Sequence, residues 1–443
     1  MGSYKSPTTR LIAFFGRVNY SFDDRYLVTL NLRYEGSSKF YSDRWGLFPG
    51  ISAGWRISSE KFMRNVRAVD DLKLRVSYGT TGNQGFNTNT AYRMYSKDSW
   101  TYYNGQWMTV YGLMHNQNRD MKWEIKKEFD VGLDFSLFNR RLNGRMDYFS
   151  RKIEDAIYSG IPVASPPAVY ATSTVNIGDI TNKGFEFELN GRVVDTKDWT
   201  FDTSLVGSFV GKSRLEGMAK DTHMEFQAMP HGGGSAVRIF GGQEIGRYFL
   251  YRFAGVREED GTPMIYSKDN KVIPYASGTD EDRVQTGNGL PKAVLSWNNT
   301  VRYRNWDLNL FFRSWLGQDV YNVTDMIQGV NCKITEGQNL LRTAYRRNKA
   351  ITNTDRLMLL DYWLEKGDFL KLDAVTLGYT LPRNKIKYVE KLRCYFTVRN
   401  VCTLTGYSGL DPEVNVNGLA PGFEGMSQYP RTRSFILGIE IGF

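Results

Sequence analysis

The side chains that could do chemistry are few. His115, His223 and His231 are the only histidines of the chain. None sits in a His-Glu-x-x-His run or beside a Gly-x-Ser-x-Gly elbow, so neither a zinc hydrolase nor a serine nucleophile is indicated. Glu186 and Glu188 are two apart, which on a strand places both carboxylates on one face roughly 7 Å apart. A glycosidase uses such a pair. The polar wall of a sheet produces the same spacing, and it is the better reading. Cys332, Cys394 and Cys402 form no metal spacing, and two of them on one strand would lie about 26 Å apart, far beyond disulfide reach. "PHGGGSAV" (230–237) lacks the Lys-Ser/Thr of a phosphate loop. The acid-rich "SKDNKVIPYASGTDEDR" (267–283) offers Asp269, Asp280 and Asp282 as weak calcium candidates, but Lys271-Val272 breaks the Asp-x-Asp-x-Asp-Gly spacing. The chain is therefore expected to be no enzyme and to need no cofactor.

One segment is better suited to recognition. "DSWTYYNGQWMTVYGLMHNQNRD" (98–120) gathers Trp100, Tyr102, Tyr103, Trp107 and Tyr111 in a loop. Flat aromatic faces stack on sugar rings, and Asn104, Gln106 and Asn116 add directional hydrogen-bonding groups. Trp100, Tyr102, Tyr103, Asn104, Trp107 and Tyr111 are the substrate-contact candidates. The alternative is that these rings pack on a partner or in a membrane-interface belt.

The elements that must position such a loop are extended. In "RYLVTLNLRYEGS" (25–37), Tyr26, Val28, Leu30, Leu32 and Tyr34 alternate with Leu27, Thr29, Asn31 and Arg33, the mark of a sheet with one apolar face. Similar stretches lie at 11–22, 47–58, 72–82, 128–138, 142–159, 184–194, 199–211, 294–305, 306–322, 369–381 and 392–407. The last, "RSFILGIEIGF", aligns Phe435, Leu437, Ile439, Ile441 and Phe443 on one face up to the final residue. Many run ten residues or more, against about five or six in a typical globular strand and about 9–11 in a tilted membrane strand. No apolar run approaches the roughly 18 residues of a spanning helix. The 27 Tyr, 26 Phe and 10 Trp suit interfacial girdles as well as strands.

Loop lengths sort into two classes. Short turns at 23–24, 139–141 and 304–305 alternate with long excursions at 38–46, 83–127, 160–173, 212–245, 323–368 and 408–431, the two unequal rims of an outer-membrane barrel. Strand direction stays consistent only if 237–256 contributes no spanning strand or two. With none, about thirteen strands span. The net charge of +10 comes without a helix-turn-helix, zinc or RNA-binding signature, so no nucleic-acid partner is expected.

"DDRYLVTLNLRYEGSSKF", "RWGLFPGISAGWRISSEKFM", "LKLRVSYGTTGNQG", "NIGDITNKGFEFELNGRV", "LFFRSWLGQDVYN", "GDFLKLDAVTLGYTLP" and "FTVRNVCTLTGYSGLDPEV" resemble, in order, the barrel of the SusC/RagA family of TonB-dependent outer-membrane transporters of the Bacteroidota. The resemblance implies an all-β fold: an arc of about 13 strands of a roughly 22-stranded transmembrane antiparallel barrel, the plug absent. Residues 1–10 are expected to be a disordered leader and 11–443 the C-terminal part of the barrel. It further implies uptake of a glycan or peptide under a SusD-like lipoprotein, with the plug and remaining strands supplied elsewhere and TonB–ExbB–ExbD providing force. Phe435, Leu437, Ile439, Ile441 and Phe443 resemble the signal read by the barrel-assembly machinery. Outer-membrane lipid would face the apolar sides. The rival reading is a soluble or surface-attached all-β carbohydrate-binding protein, whose apolar strand faces would be sealed in a core; a passive porin is a third.

Overall fold

The structure is a computed structural model of the chain. It describes residues 8–443 except 164–165, 167, 219–222, 230–233, 332–336, 338, 352–357, 383–388, 417 and 426–427. Most of the leader, His231, Cys332 and the glycine stretch around 231–233 thus lie outside the described residues.

Thirteen long strands join in chain order into one antiparallel sheet. They are β1 (Leu11–Phe22), β2 (Tyr26–Ser37), β3 (Trp45–Arg56), β4 (Val69–Asn83), β5 (Glu124–Leu137), β6 (Leu142–Glu154), β7 (Asp179–Asp195), β8 (Trp199–Val210), β9 (Ala293–Tyr303), β10 (Trp306–Leu316), β11 (Phe369–Thr380), β12 (Lys391–Thr405) and β13 (Ser434–Gly442). Each pairs with its sequence neighbour, so every connection is a hairpin. Among the described residues β1 pairs only with β2, and β13 only with β12. The sheet is an open arc with two bare edges whose strands run in the same direction.

Register sorts the side chains by face. Val18, Leu30, Ile51, Tyr78 and Phe129 lie directly opposite one another across five strands. Leu189, Leu205, Trp297, Phe312 and Leu372 make a second such row, and Leu308, Leu377, Phe396 and Leu437 a third. Leu30, Ile51, Tyr78, Phe129, Trp297 and Leu437 are exposed. A soluble sandwich would bury these rows; a barrel turns them to hydrocarbon. An aromatic ladder, Trp199–Tyr303 and Trp306–Tyr379 with ring centroids 4.4 and 4.8 Å apart, rims the short-turn side. There the Glu60 carboxylate accepts from the Tyr26 hydroxyl at 2.7 Å and from the Trp55 indole at 3.0 Å.

The short turns use left-handed backbone at Asp23, Asp24, Asn139, Arg140 and Arg304, the conformation that two- to four-residue hairpins demand. The long loops fold on themselves. Ser235–Phe240 and Tyr248–Val256 pair with each other in a separate six-stranded sheet, so 237–256 adds no spanning strand. That sheet, the helix α1 (Val323–Gln328) and the segment near Trp363 enclose the main apolar core, with Leu215, Tyr248, Leu250, Tyr321, Leu360 and Trp363 fully buried. The core therefore sits in the long-rim cap, not between strands. In that sheet the guanidinium groups of Arg238 and Arg283 lie 4.5 and 4.4 Å from the ring centre of Phe249. No helix among the described residues is long and apolar enough to cross a membrane.

Candidate functional site

The face opposite the apolar rows is charged. Arg75 on β4 reaches across β5, donating to Asp134 at 2.8 and 2.9 Å and to Asp147 on β6 at 2.8 Å. Gly132, between them, makes this possible, because a Cβ there would run into the Asp147 carboxylate and the Arg75 guanidinium. Gly378 leaves the same room for Arg393 and Asp307. Further along, Arg151 pairs with Glu128 at 3.0 Å, Arg145 with Glu188 at 3.1 Å and Arg192 with Asp202 at 2.9 Å. Glu186, Glu128, Arg145 and Arg151 line a concavity of about 710 Å³. Glu186 and Glu188 thus belong to a wall of alternating charge; Glu188 also accepts from Asn190 at 3.0 Å. This arrangement is a polar surface of paired charges and offers no isolated acid–base pair.

At the long-rim end of this wall lies a denser cluster that spacing alone did not reveal. Lys371 on β11, opposite Arg313 on β10, is almost completely buried. Its ammonium contacts Asp411 at 2.8 Å and Glu413 at 2.9 Å. Arg313 holds Glu413 at 3.0 Å and Asp373 at 3.1 Å, and Arg431 holds Asp411 and Glu413, both at 2.9 Å. Three cations face three carboxylates, so the buried charges are compensated. Burial opposes the charge of Glu413, but the hydrogen bonds from Arg313 and Lys371 outweigh it, leaving its pKa below the ordinary carboxylate value. The cluster ties the β12–β13 loop to the inner wall. The amide of Gln318 reinforces it, donating to the carbonyls of Pro412 and Gly367 at 3.0 and 2.8 Å. The detectable signal was the alternation Phe369, Lys371, Asp373, which puts a lysine and an aspartate on the polar face.

The aromatic segment is not an irregular loop. Tyr95–Tyr103 and Gln106–Leu113 form a hairpin closed by Asn104-Gly105, both in left-handed backbone. Asn104 is therefore the turn residue. Register puts Trp100, Tyr102, Trp107 and Tyr111 on one face and Tyr103 and Met108 on the other. All six side chains are at least half exposed. Tyr102 and Trp107 meet edge to face at 5.3 Å, and the Lys97 ammonium sits 3.8 Å over Trp100. Asn116 lies outside the hairpin, its amide taken up by the backbone at Val169, Tyr170 and Thr172. The Tyr170 hydroxyl donates to the Leu113 carbonyl at the hairpin base.

Two of the three calcium candidates are engaged locally. Asp282 accepts from the backbone of Lys268 and Thr279, both at 2.8 Å, and Asp280 pairs with Arg238 at 2.5 Å and Arg283 at 2.9 Å. Among the described residues no group of three or more His, Cys, Asp or Glu side chains is arranged for a metal. The His115 ring nitrogen lies 2.9 Å from the Asn89 carbonyl and 3.1 Å from that of Tyr92. Cys394 and Cys402 are free and exposed on β12. Phe435, Leu437, Ile439 and Ile441 project from one face of β13, and Phe443, 85% exposed, follows it.

Comparison with known proteins agrees with this geometry. The profile of the family "TonB dependent receptor-like, beta-barrel" matches residues 2–401. The chain is 29% identical to the TonB-dependent receptor SusC of Bacteroides thetaiotaomicron over 98% of its own length and 44% of that protein. It is 28% identical to the TonB-dependent receptor P3 of Formosa agariphila, over 98% of itself and 46% of the relative. Among solved structures, that of the RagAB peptide transporter superposes with a TM-score of 0.81 at 21% identity, covering 98% of this chain and 48% of the other. The chain thus spans about half the length of these relatives. It lies in the outer membrane, and it belongs to the family of TonB-dependent receptor-like β-barrels.

Proposed function

We propose that this chain forms the C-terminal part of the wall of a SusC/RagA-like importer that draws a glycan or a peptide across the outer membrane. The observation that carries this reading is the thirteen-stranded arc with apolar rows on one face and paired charges on the other. An apolar face in lipid and a polar face around an aqueous path are what a large membrane barrel requires. In the complete protein a plug and further strands close the ring, TonB–ExbB–ExbD supplies force, and a SusD-like lipoprotein presents cargo above the cap. The barrel-assembly machinery reads the end of β13, with Phe443 as its terminal aromatic residue. The reading invokes no catalysis and no cofactor.

The test is uptake of labelled oligosaccharides and peptides by cells carrying the complete protein, with and without an uncoupler. Uptake of one class that disappears on deletion of the protein and on collapse of the proton gradient is expected. Uptake that survives the uncoupler would make it a passive pore. A protein found soluble in the periplasm or medium would revive the carbohydrate-binding alternative, against which the exposed apolar rows stand.

A further inference from the structure

The connector between β3 and β4, residues 57–68 on the short-turn rim, does more than reverse the chain. Its backbone winds through successive i→i+3 hydrogen bonds. The N–H of Met63 donates to the carbonyl of Glu60, Arg64 to Lys61, Val66 to Met63 and Val69 to Val66, at 3.1, 3.5, 3.0 and 3.3 Å. Residues three apart share a side in such a winding. Lys61, Arg64 and Arg67 thus fall together on one side, and Glu60, Met63 and Val66 on another. Glu60 fixes that second side, because its carboxylate is held by Tyr26 and Trp55. Both rings stand on the apolar face of the sheet, in step with Leu30 and Ile51. The connector therefore leans to the lipid side of its rim. Its neighbours there belong to this chain. The N–H of Arg56 donates to the Arg25 carbonyl at 2.8 Å, and that of Phe138 to the Ala68 carbonyl at 2.9 Å, so the β1–β2 and β5–β6 turns flank it.

Its composition is one-sided. "KFMRNVRA" (61–68) holds three cations and no carboxylate. The acids nearest in sequence are taken: Glu60 by Tyr26, Trp55 and Arg25, Asp70 by the Arg140 backbone, and Asp71 by Ser58 and Arg56. Among the described residues no ion pair joins Lys61, Arg64 or Arg67 to a carboxylate. Between these cations Phe62 and Val66 are 65% and 41% exposed. Apolar side chains that sink toward the acyl boundary, with cations placed at the headgroups, mark a segment lying in a membrane interface. A soluble anion would account for the cations and leave Phe62 without a role. A protein inside the barrel would meet the opposite side of the rim.

We infer that residues 61–67 bind an anionic phospholipid, with Phe62 and Val66 at the acyl boundary and Lys61, Arg64 and Arg67 around the headgroup phosphate. This requires only that the barrel lies in the outer membrane, and it is independent of the cargo.

The experiment reconstitutes the complete protein in phosphatidylethanolamine nanodiscs doped with a photoactivatable phosphatidylglycerol, and reads lipid adducts on residues 57–69 by peptide mass spectrometry. Wild type is expected to be labelled there. The triple variant Lys61→Gln, Arg64→Gln, Arg67→Gln should be labelled at least about tenfold less, since each cation near an anionic surface is worth about fivefold in binding. Phe62→Ser should lose several-fold, and Lys61→Arg should match wild type. Equal labelling of wild type and the triple variant overturns the inference. Displacement of the lipid by inorganic phosphate, with Phe62→Ser unaffected, overturns it in favour of a soluble-anion site. A segment that takes no lipid and instead crosslinks to protein overturns it in favour of a protein contact. Heat-modifiable mobility shows whether each variant closes. If the triple variant does not, Arg64→Gln and Arg67→Gln singly should each reduce labelling several-fold, and unchanged labelling in both refutes the site. Cargo uptake plays no part in the readout, so failure here leaves the importer reading intact.

Discussion

Lys371 shows how one side chain can govern a loop of more than twenty residues. It is 1% exposed and its ammonium is shared by Asp411 and Glu413. Breaking a buried ion pair by removing one partner costs about 3–5 kcal/mol, because the other charge stays buried. Lys371→Met should therefore release the β12–β13 loop, seen as protease cleavage between residues 406 and 433 of the complete protein under conditions where wild type resists. The pH dependence follows from Glu413. Its folded pKa lies below the ordinary carboxylate value, so its contribution is complete above the unfolded value and declines as pH falls through the folded one. Loop protection should accordingly be flat from pH 7 to about 5 and weaken only in stronger acid. In the wall, Gly132→Val should lower thermal stability by about 1–3 kcal/mol, since the new side chain displaces the Arg75 bridge to Asp134 and Asp147. A thermal midpoint equal to that of wild type would show that the bridge moves aside without cost.

For the individual strands, period-two alternation was enough. The spans expected at 11–22, 25–37 and 199–211 became Leu11–Phe22, Tyr26–Ser37 and Trp199–Val210, because a face in hydrocarbon imposes alternation as strictly as a core does. The stretches 142–159 and 306–322 overrun the wall strands Leu142–Glu154 and Trp306–Leu316. Each passes beyond the wall into a separate small strand, Ile157–Pro162 and Asp319–Tyr321, and local pattern does not reveal a change of partner. The hairpin at 95–113 reads as a loop for a related reason: its register shifts between Lys97 and Ser99, and Tyr103 and Met108 put large side chains on the face opposite Trp100 and Trp107, which blurs the alternation. The cap core left no mark in the local pattern, and of the Lys371 cluster only Lys371 and Asp373 did, since both join residues of three long loops across large sequence separations. At the chain end, β13 supplies a test of its own. Phe443→Ala, or deletion of that residue, should reduce the heat-modifiable outer-membrane form of the complete protein several-fold, and an unchanged amount would remove the assembly role proposed for it.

As a whole the sheet has no interior of its own. Its strands hold one another by backbone pairing, and their apolar rows await lipid, so among the described residues β1 and β13 leave rows of unpaired N–H and C=O groups. Each such group costs several kcal/mol in hydrocarbon. The isolated chain in detergent should therefore fail to give a closed, heat-resistant monomer, whereas co-refolding with the missing part of the barrel should give one; gel mobility before and after heating reads the difference. The shared direction of the two edge strands narrows what that missing part is. In a common membrane orientation, β13 of one copy laid beside β1 of another would form a parallel contact, so two copies of this arc do not complete a ring by the antiparallel hairpin rule that every other strand obeys. The complement must begin and end on strands that climb where β1 and β13 descend, and so must contain an odd number of them. Paired cysteines should then bridge β1 and β13 to ascending neighbours and never to each other. Direction alone makes this half of the ring unable to serve as its own counterpart.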